Sequence, residues 1–165
     1  MHRSTFSAEH PIGLEPVDAP LTPRPFASHD MNSQGIRPTP AFVGAAWTAL
    51  FTGAITYCIG LWNTRAMQLN EKGYYLILLC FGLFSAVSLQ KSVRDRVEQL
   101  PVSGLYFGLC WLSLGLSLLF LTVGLWNADL EVAEKGFYAM AYVLSLFAAV
   151  AVQKNVRDMA AAEED

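Results

Sequence analysis

Two stretches of this sequence place amides, cations and carboxylates at one fixed spacing. Gln90, Lys91, Arg94 and Asp95 stand in the frame Gln-Lys-Ser-Val-Arg-Asp, and Gln153, Lys154, Arg157 and Asp158 repeat it as Gln-Lys-Asn-Val-Arg-Asp. On a helix Lys91 and Asp95 are i,i+4 neighbours, as are Gln90 and Arg94, and Lys91 shares a face with Arg94. The chemistry open to such a surface is electrostatic. Two Lys–Arg pairs would hold anionic lipid headgroups, at about 1 kcal/mol per cation near a charged membrane. A soluble partner would read Gln90, Asp95, Gln153 and Asp158 by hydrogen bonds at the same place. The plain structural reading is that cations at a helix C-terminus complement its dipole and the positive-inside bias of membrane proteins. Charge alone does not require Gln, Val and Asp in register, so the block stands as the candidate lipid- or partner-binding site.

A second polar set is also written twice. Trp62 and Asn63 close Gly-Leu-Trp-Asn, and Glu71 and Lys72 open Glu-Lys-Gly-Tyr-Tyr; Trp126, Asn127, Glu134 and Lys135 repeat the set. Trp is expected as an anchor at the membrane–water boundary. Asn63 and Asn127 suit a left-handed helix C-cap. Glu71 and Glu134 complement a helix N-terminus, and Lys72 and Lys135 snorkel to headgroups. The functional alternative is a composite outer site, with Glu–Lys pairs lining a vestibule.

Catalytic constellations are missing from the rest. The apolar runs hold no Ser–His pairing, HExxH motif, paired carboxylates or Gly-rich phosphate loop. His2, His10 and His29 all lie before residue 40, and Cys58, Cys80 and Cys110 each stand alone in an apolar run. Isolated cysteines read as small apolar fillers. The expectation is a non-enzyme with no cofactor, no metal site and no nucleic-acid partner.

The elements that carry these residues are membrane spans. Hydrophobic residues make up 53% of the 165 and charged residues 15%, with a mean hydropathy of +0.35; soluble domains are about 25% charged. No Asp, Glu, Lys, Arg or His falls within 42–63, 73–90, 102–127 or 136–153. Each run is close to the roughly 20 residues that cross hydrocarbon as a helix. The expected spans are about 42–62, 73–90, 103–126 and 136–153, with Pro101 breaking any helix that continues from Lys91. Short loops predict that the two helices of each hairpin lie antiparallel against each other. Small residues four apart, such as Ala45, Ala49 and Gly53, or Gly104 and Gly108, suit close helix packing, within the chain or between copies. Thr48, Thr52 and Thr56 are expected to bond back to carbonyls one turn earlier.

Residues 1–40 hold most of the prolines and show no apolar periodicity, which predicts a disordered tail without a secretory signal. Arg24, Arg37, Lys91, Arg94, Arg96, Lys154 and Arg157 flank one side of the expected spans, and Arg65, Lys72 and Lys135 the other. The positive-inside rule then places both termini in the cytoplasm. Each repeat crosses twice, so the copies are parallel repeats about an axis along the membrane normal.

The three repeated blocks resemble the YiaA/YiaB inner-membrane protein family, whose unit is two helices with these turn, helix-start and closing sequences. The likeness covers about 41–159. It implies a bacterial cytoplasmic-membrane protein and no catalytic residues.

The sequence thus predicts an all-α integral membrane protein of four transmembrane helices in two tandem, parallel-repeat hairpins. Residues 1–40 form the tail, 41–99 and 103–159 the repeats, and 160–165 an acidic end. The leading functional expectation is a scaffold or interaction protein of the cell envelope, in contact with anionic lipid, a membrane protein or a second copy. The alternative is a small-solute transporter or oligomeric channel without intramembrane proton-coupling groups.

Overall fold

The computed structural model describes residues 38–164; the expectation for residues 1–37 lies outside them. Four helices follow in order: α1 (Pro40–Asn63), α2 (Leu69–Val97), α3 (Gly104–Asn127) and α4 (Val132–Glu164). All four are long and apolar enough to cross a membrane.

Local chemistry sets their ends. Thr39 accepts from the Phe42 N–H at 3.3 Å ahead of Pro40, and Ser103 accepts from the Tyr106 N–H at 3.2 Å. These side chains satisfy amides that a helix N-terminus leaves unpaired. α2 ends in a turn centred on Gln99, which takes φ 60°. The Leu100 N–H reaches the Asp95 carbonyl at 2.8 Å and the Gln99 N–H reaches Arg96 at 3.2 Å. That is the Schellman pattern, in a position that usually holds glycine. Pro101 follows, but the helix has already stopped after Val97, at this turn rather than at the proline. α4 continues through the acidic end to Glu164.

One expectation fails. The helices of a repeat touch only sparsely: α1 lies along α4, and α2 along α3 and α4. Each first helix therefore packs on the second helix of the other repeat, and α2 and α4 form the centre. The reason is surface relief. A Cβ on Gly60 would meet the Phe137 ring at 2.9 Å and the Tyr138 ring at 3.1 Å; a Cβ on Gly124 would meet Tyr74 at 3.0 Å and the Tyr75 hydroxyl at 3.1 Å. Gly60 corresponds to Gly124 and Tyr74-Tyr75 to Phe137-Tyr138, so one notch-and-ring fit is used twice across the repeats. Gly53 lies against Ser145, and Gly82 against Ser117 and the Tyr142 hydroxyl. Those contacts also exchange under the repeat, with glycine and serine trading places. Small residues let membrane helices approach until van der Waals contact replaces lipid contact.

The core holds Tyr57, Tyr75, Tyr138 and Tyr142 among leucines. Phe51, Ile55, Ile77, Phe84, Leu119 and Phe147 point outward from the four helices, as a lipid-facing surface does.

Candidate functional site

The two closing blocks meet at one end of the bundle. Arg94 donates to Asp158 at 3.1 Å, and Arg157 to Asp95 at 3.3 Å. The pair is reciprocal, arginine of one block to aspartate of the other. Glu98 joins both sides: it accepts from Arg94 Nε at 2.8 Å and from Arg157. Lys154 bridges to Asp158 at 3.2 Å. Hydrogen bonds from Arg94, and the charge of Arg157 beside it, hold the Glu98 carboxyl below its ordinary range. The same bond to Glu98 raises Arg94. The arginines of the expected Lys–Arg pairs thus each commit two of their five N–H donors to a clasp between repeats. Lys91 is exposed and has no carboxylate partner among the described residues. Arg96 lies over the Phe107 ring, 4.3 Å from its centroid.

An open groove of about 660 Å³ runs beside the clasp, lined by Lys91, Asp95, Leu100, Gln153, Val156 and Arg157. Gln153 leaves Oε1 buried there without a partner, whereas Gln90, half-buried in α2, leaves no such orphaned atom. Asn155 is also unsatisfied: both amide atoms are buried without partners, where the first repeat has Ser92 bonded to the Leu89 carbonyl at 2.9 Å.

The turn and helix-start blocks, at the opposite end, are divided between helices. Glu71 accepts from the Gln68 N–H at 2.6 Å and Glu134 from the Glu131 N–H at 3.1 Å, so each carboxylate secures the start of its own helix. Lys72 instead donates back to the Trp62 carbonyl at 3.2 Å, and Lys135 to the Trp126 carbonyl at 3.3 Å. A cation on the last-turn carbonyls of the preceding helix suits its dipole. Trp62 and Trp126 project outward. Asn63 and Asn127 remain helical, without the left-handed cap conformation; Asn127 donates to the Val123 carbonyl at 2.8 Å, and Thr64 and Ala128 follow in extended conformation. Of the three threonines expected to bond back one turn, Thr48 does so, to Gly44 at 2.8 Å; Thr52 and Thr56 do not among the described residues.

The tyrosines that bond across helices, Tyr57 and Tyr142 buried and Tyr74 exposed, were not singled out from the sequence. Tyr57 donates to the Tyr75 carbonyl at 3.2 Å, Tyr74 to the Phe120 carbonyl at 2.8 Å and Tyr142 to the Leu78 carbonyl at 3.0 Å, each on another helix. Tyr142 also shares a hydrogen bond with Ser117 at 3.0 Å. A hydroxyl at depth in an uncharged run was the available signal, because buried Tyr O–H groups find partners.

Comparison with known proteins agrees with this architecture. The yiaA/B two helix domain matches twice, at residues 42–95 and 106–158. The chain is 55% identical to "Inner membrane protein YiaA" of Escherichia coli (strain K12) over 120 residues, covering 73% of this chain and 82% of that protein. It is 39% identical over 62 residues to "Uncharacterized membrane protein YubF" of Bacillus subtilis (strain 168), covering 38% of this chain and 71% of that one. No solved structure matches it. Two consecutive matches, each carrying its turn, helix start and closing block on a pair of membrane-length helices, make this chain a multi-pass membrane protein of the YiaA/YiaB family.

Proposed function

We propose that this protein is a non-enzymatic scaffold or interaction protein of the bacterial inner membrane, with both termini and the α2–α3 connector in the cytoplasm. One observation carries the reading: the hydroxyls at depth are already hydrogen-bonded within the protein, Tyr57 and Tyr142 to another helix and Ser85 and Ser145 to their own. The hydroxyls of Tyr57, Tyr142, Ser85 and Ser145 are buried and donate to backbone carbonyls. A solute path needs lining groups with hydrogen-bonding capacity to spare. The inner-membrane assignment follows the name of the Escherichia coli relative, and the orientation follows the Lys/Arg asymmetry.

The experiment is photo-crosslinking in cells from outward positions such as Ile77 and Phe84. A discrete adduct with another membrane protein or a second copy supports the scaffold. Absence of adducts, together with protein-dependent flux of neutral solutes in proteoliposomes, supports transport instead. A reporter active only outside the cytoplasm, fused near Asn127 and separately at the C-terminus, is expected to work at Asn127 alone.

A further inference from the structure

The two closing blocks are alike in sequence but unlike in how their charges are used. Arg94, Arg157 and Lys154 all have carboxylate partners in the clasp, and Arg96 has the Phe107 ring. Among the described residues at this end of the bundle, Lys91 is the cation left over. It sits in the groove of about 660 Å³, opposite Arg157 and Gln153 of the other repeat. Its counterpart Lys154 is tied to Asp158 at 3.2 Å, and Asp158 is tied in turn to Arg94. The Gln99 turn adds a further difference, because it brings Leu100 into the groove wall.

We propose that this groove is a single binding site for the phosphodiester headgroup of an anionic phospholipid, built across the repeats by Lys91 and Arg157. The position around Lys154 is not a second one. The lining decides between lipid and a free anion. Lys91 supplies a free ammonium and Arg157 the N–H donors that Asp95 and Glu98 leave unused; the Asp95 carboxylate in the same wall is engaged by Arg157, and Leu100 and Val156 are half-exposed apolar groups there. A small hydrated anion gains nothing from those two side chains; the glycerol and upper acyl region of a lipid covers them. The groove also lies just beyond Gln90 and Gln153, where the uncharged runs end, which is the depth of a headgroup. This inference does not depend on the scaffold reading.

The test uses the full chain, reconstituted with mixed phosphatidylglycerol and phosphatidylcholine and released for native mass spectrometry. Lys91→Gln is expected to lower the retained ratio of phosphatidylglycerol to phosphatidylcholine about fivefold. Lys154→Gln leaves that ratio unchanged, and Lys91→Arg preserves it. No loss in Lys91→Gln, equal loss in Lys91→Gln and Lys154→Gln, or a matching loss in Lys91→Arg overturns the proposal.

Discussion

Glu98 joins two arginines that belong to different repeats, and the second repeat has Ala161 in the corresponding place. Its carboxyl is held below the ordinary glutamate value of 4.5 by Arg94 first and Arg157 next. A depressed carboxylate contributes stability above its unfolded value and loses it as pH falls through its folded value. The thermal midpoint in detergent is therefore expected to fall on acidification below pH 4.5, and Glu98→Gln to show a smaller fall. Parallel curves for the two proteins would remove Glu98 from the clasp energetics. Asn155 makes the opposite kind of contribution. A buried amide without partners costs about 1–3 kcal/mol, so Asn155→Leu, which keeps the same branched heavy-atom skeleton, is expected to stabilise by up to roughly that amount. A lower unfolding temperature for Asn155→Leu would mean that the amide has a partner in the membrane-embedded protein.

At the scale of the helices, glycine positions separate packing surfaces from lipid surfaces. A Cβ on Gly53 would lie 2.6 Å from Ser145 Oγ, 3.0 Å from the Ser145 nitrogen and 3.1 Å from the Ala141 oxygen. Two of those atoms are backbone and do not rotate away. Gly108, by contrast, has nothing within 4 Å. Gly53→Leu is expected to lower stability by about 1–3 kcal/mol through overpacking, while Gly108→Leu leaves the melt unchanged. Should Gly108→Leu instead shift the oligomeric state in native gels, the Gly104–Gly108 stripe is a contact between copies. The Gln99 turn shows another element-level compromise. A non-glycine residue in the left-handed region costs about 1 kcal/mol, yet this turn satisfies two α2 carbonyls and turns the chain toward α3.

The whole molecule is two interleaved repeats rather than two hairpins side by side. α1 rests on α4 and α3 on α2, so most of the adhesion of each repeat comes from the other. One repeat alone has no such partner. The self-complementary parts are nevertheless present in the first: Gly60 for Tyr74-Tyr75, and Arg94 for Asp95. Residues 38–102 expressed alone are therefore expected to form a homodimer in detergent, measured by light scattering or native mass spectrometry. A stable monomeric hairpin would contradict the interleaved packing.

Sequence by itself determined the helical class, the four spans and the duplication, because exclusion of charge from hydrocarbon and repeated blocks are both written one residue at a time. It also marked the closing block and the outer turns as places where something specific happens. Pairing was another matter. Antiparallel neighbours through short loops are the default of chain connectivity, and nothing local says that Gly60 is the notch for Phe137 or Gly124 the notch for Tyr74. Nor does spacing distinguish an arginine free to meet a headgroup from one answered by a carboxylate sixty-odd residues away, as Arg94 is by Asp158. Lys91 and Lys154 hold the same place in frames that differ only at Ser92 and Asn155. Only the tertiary structure made them different, by placing one in a groove and the other on Asp158, because ion pairing depends on distance in space.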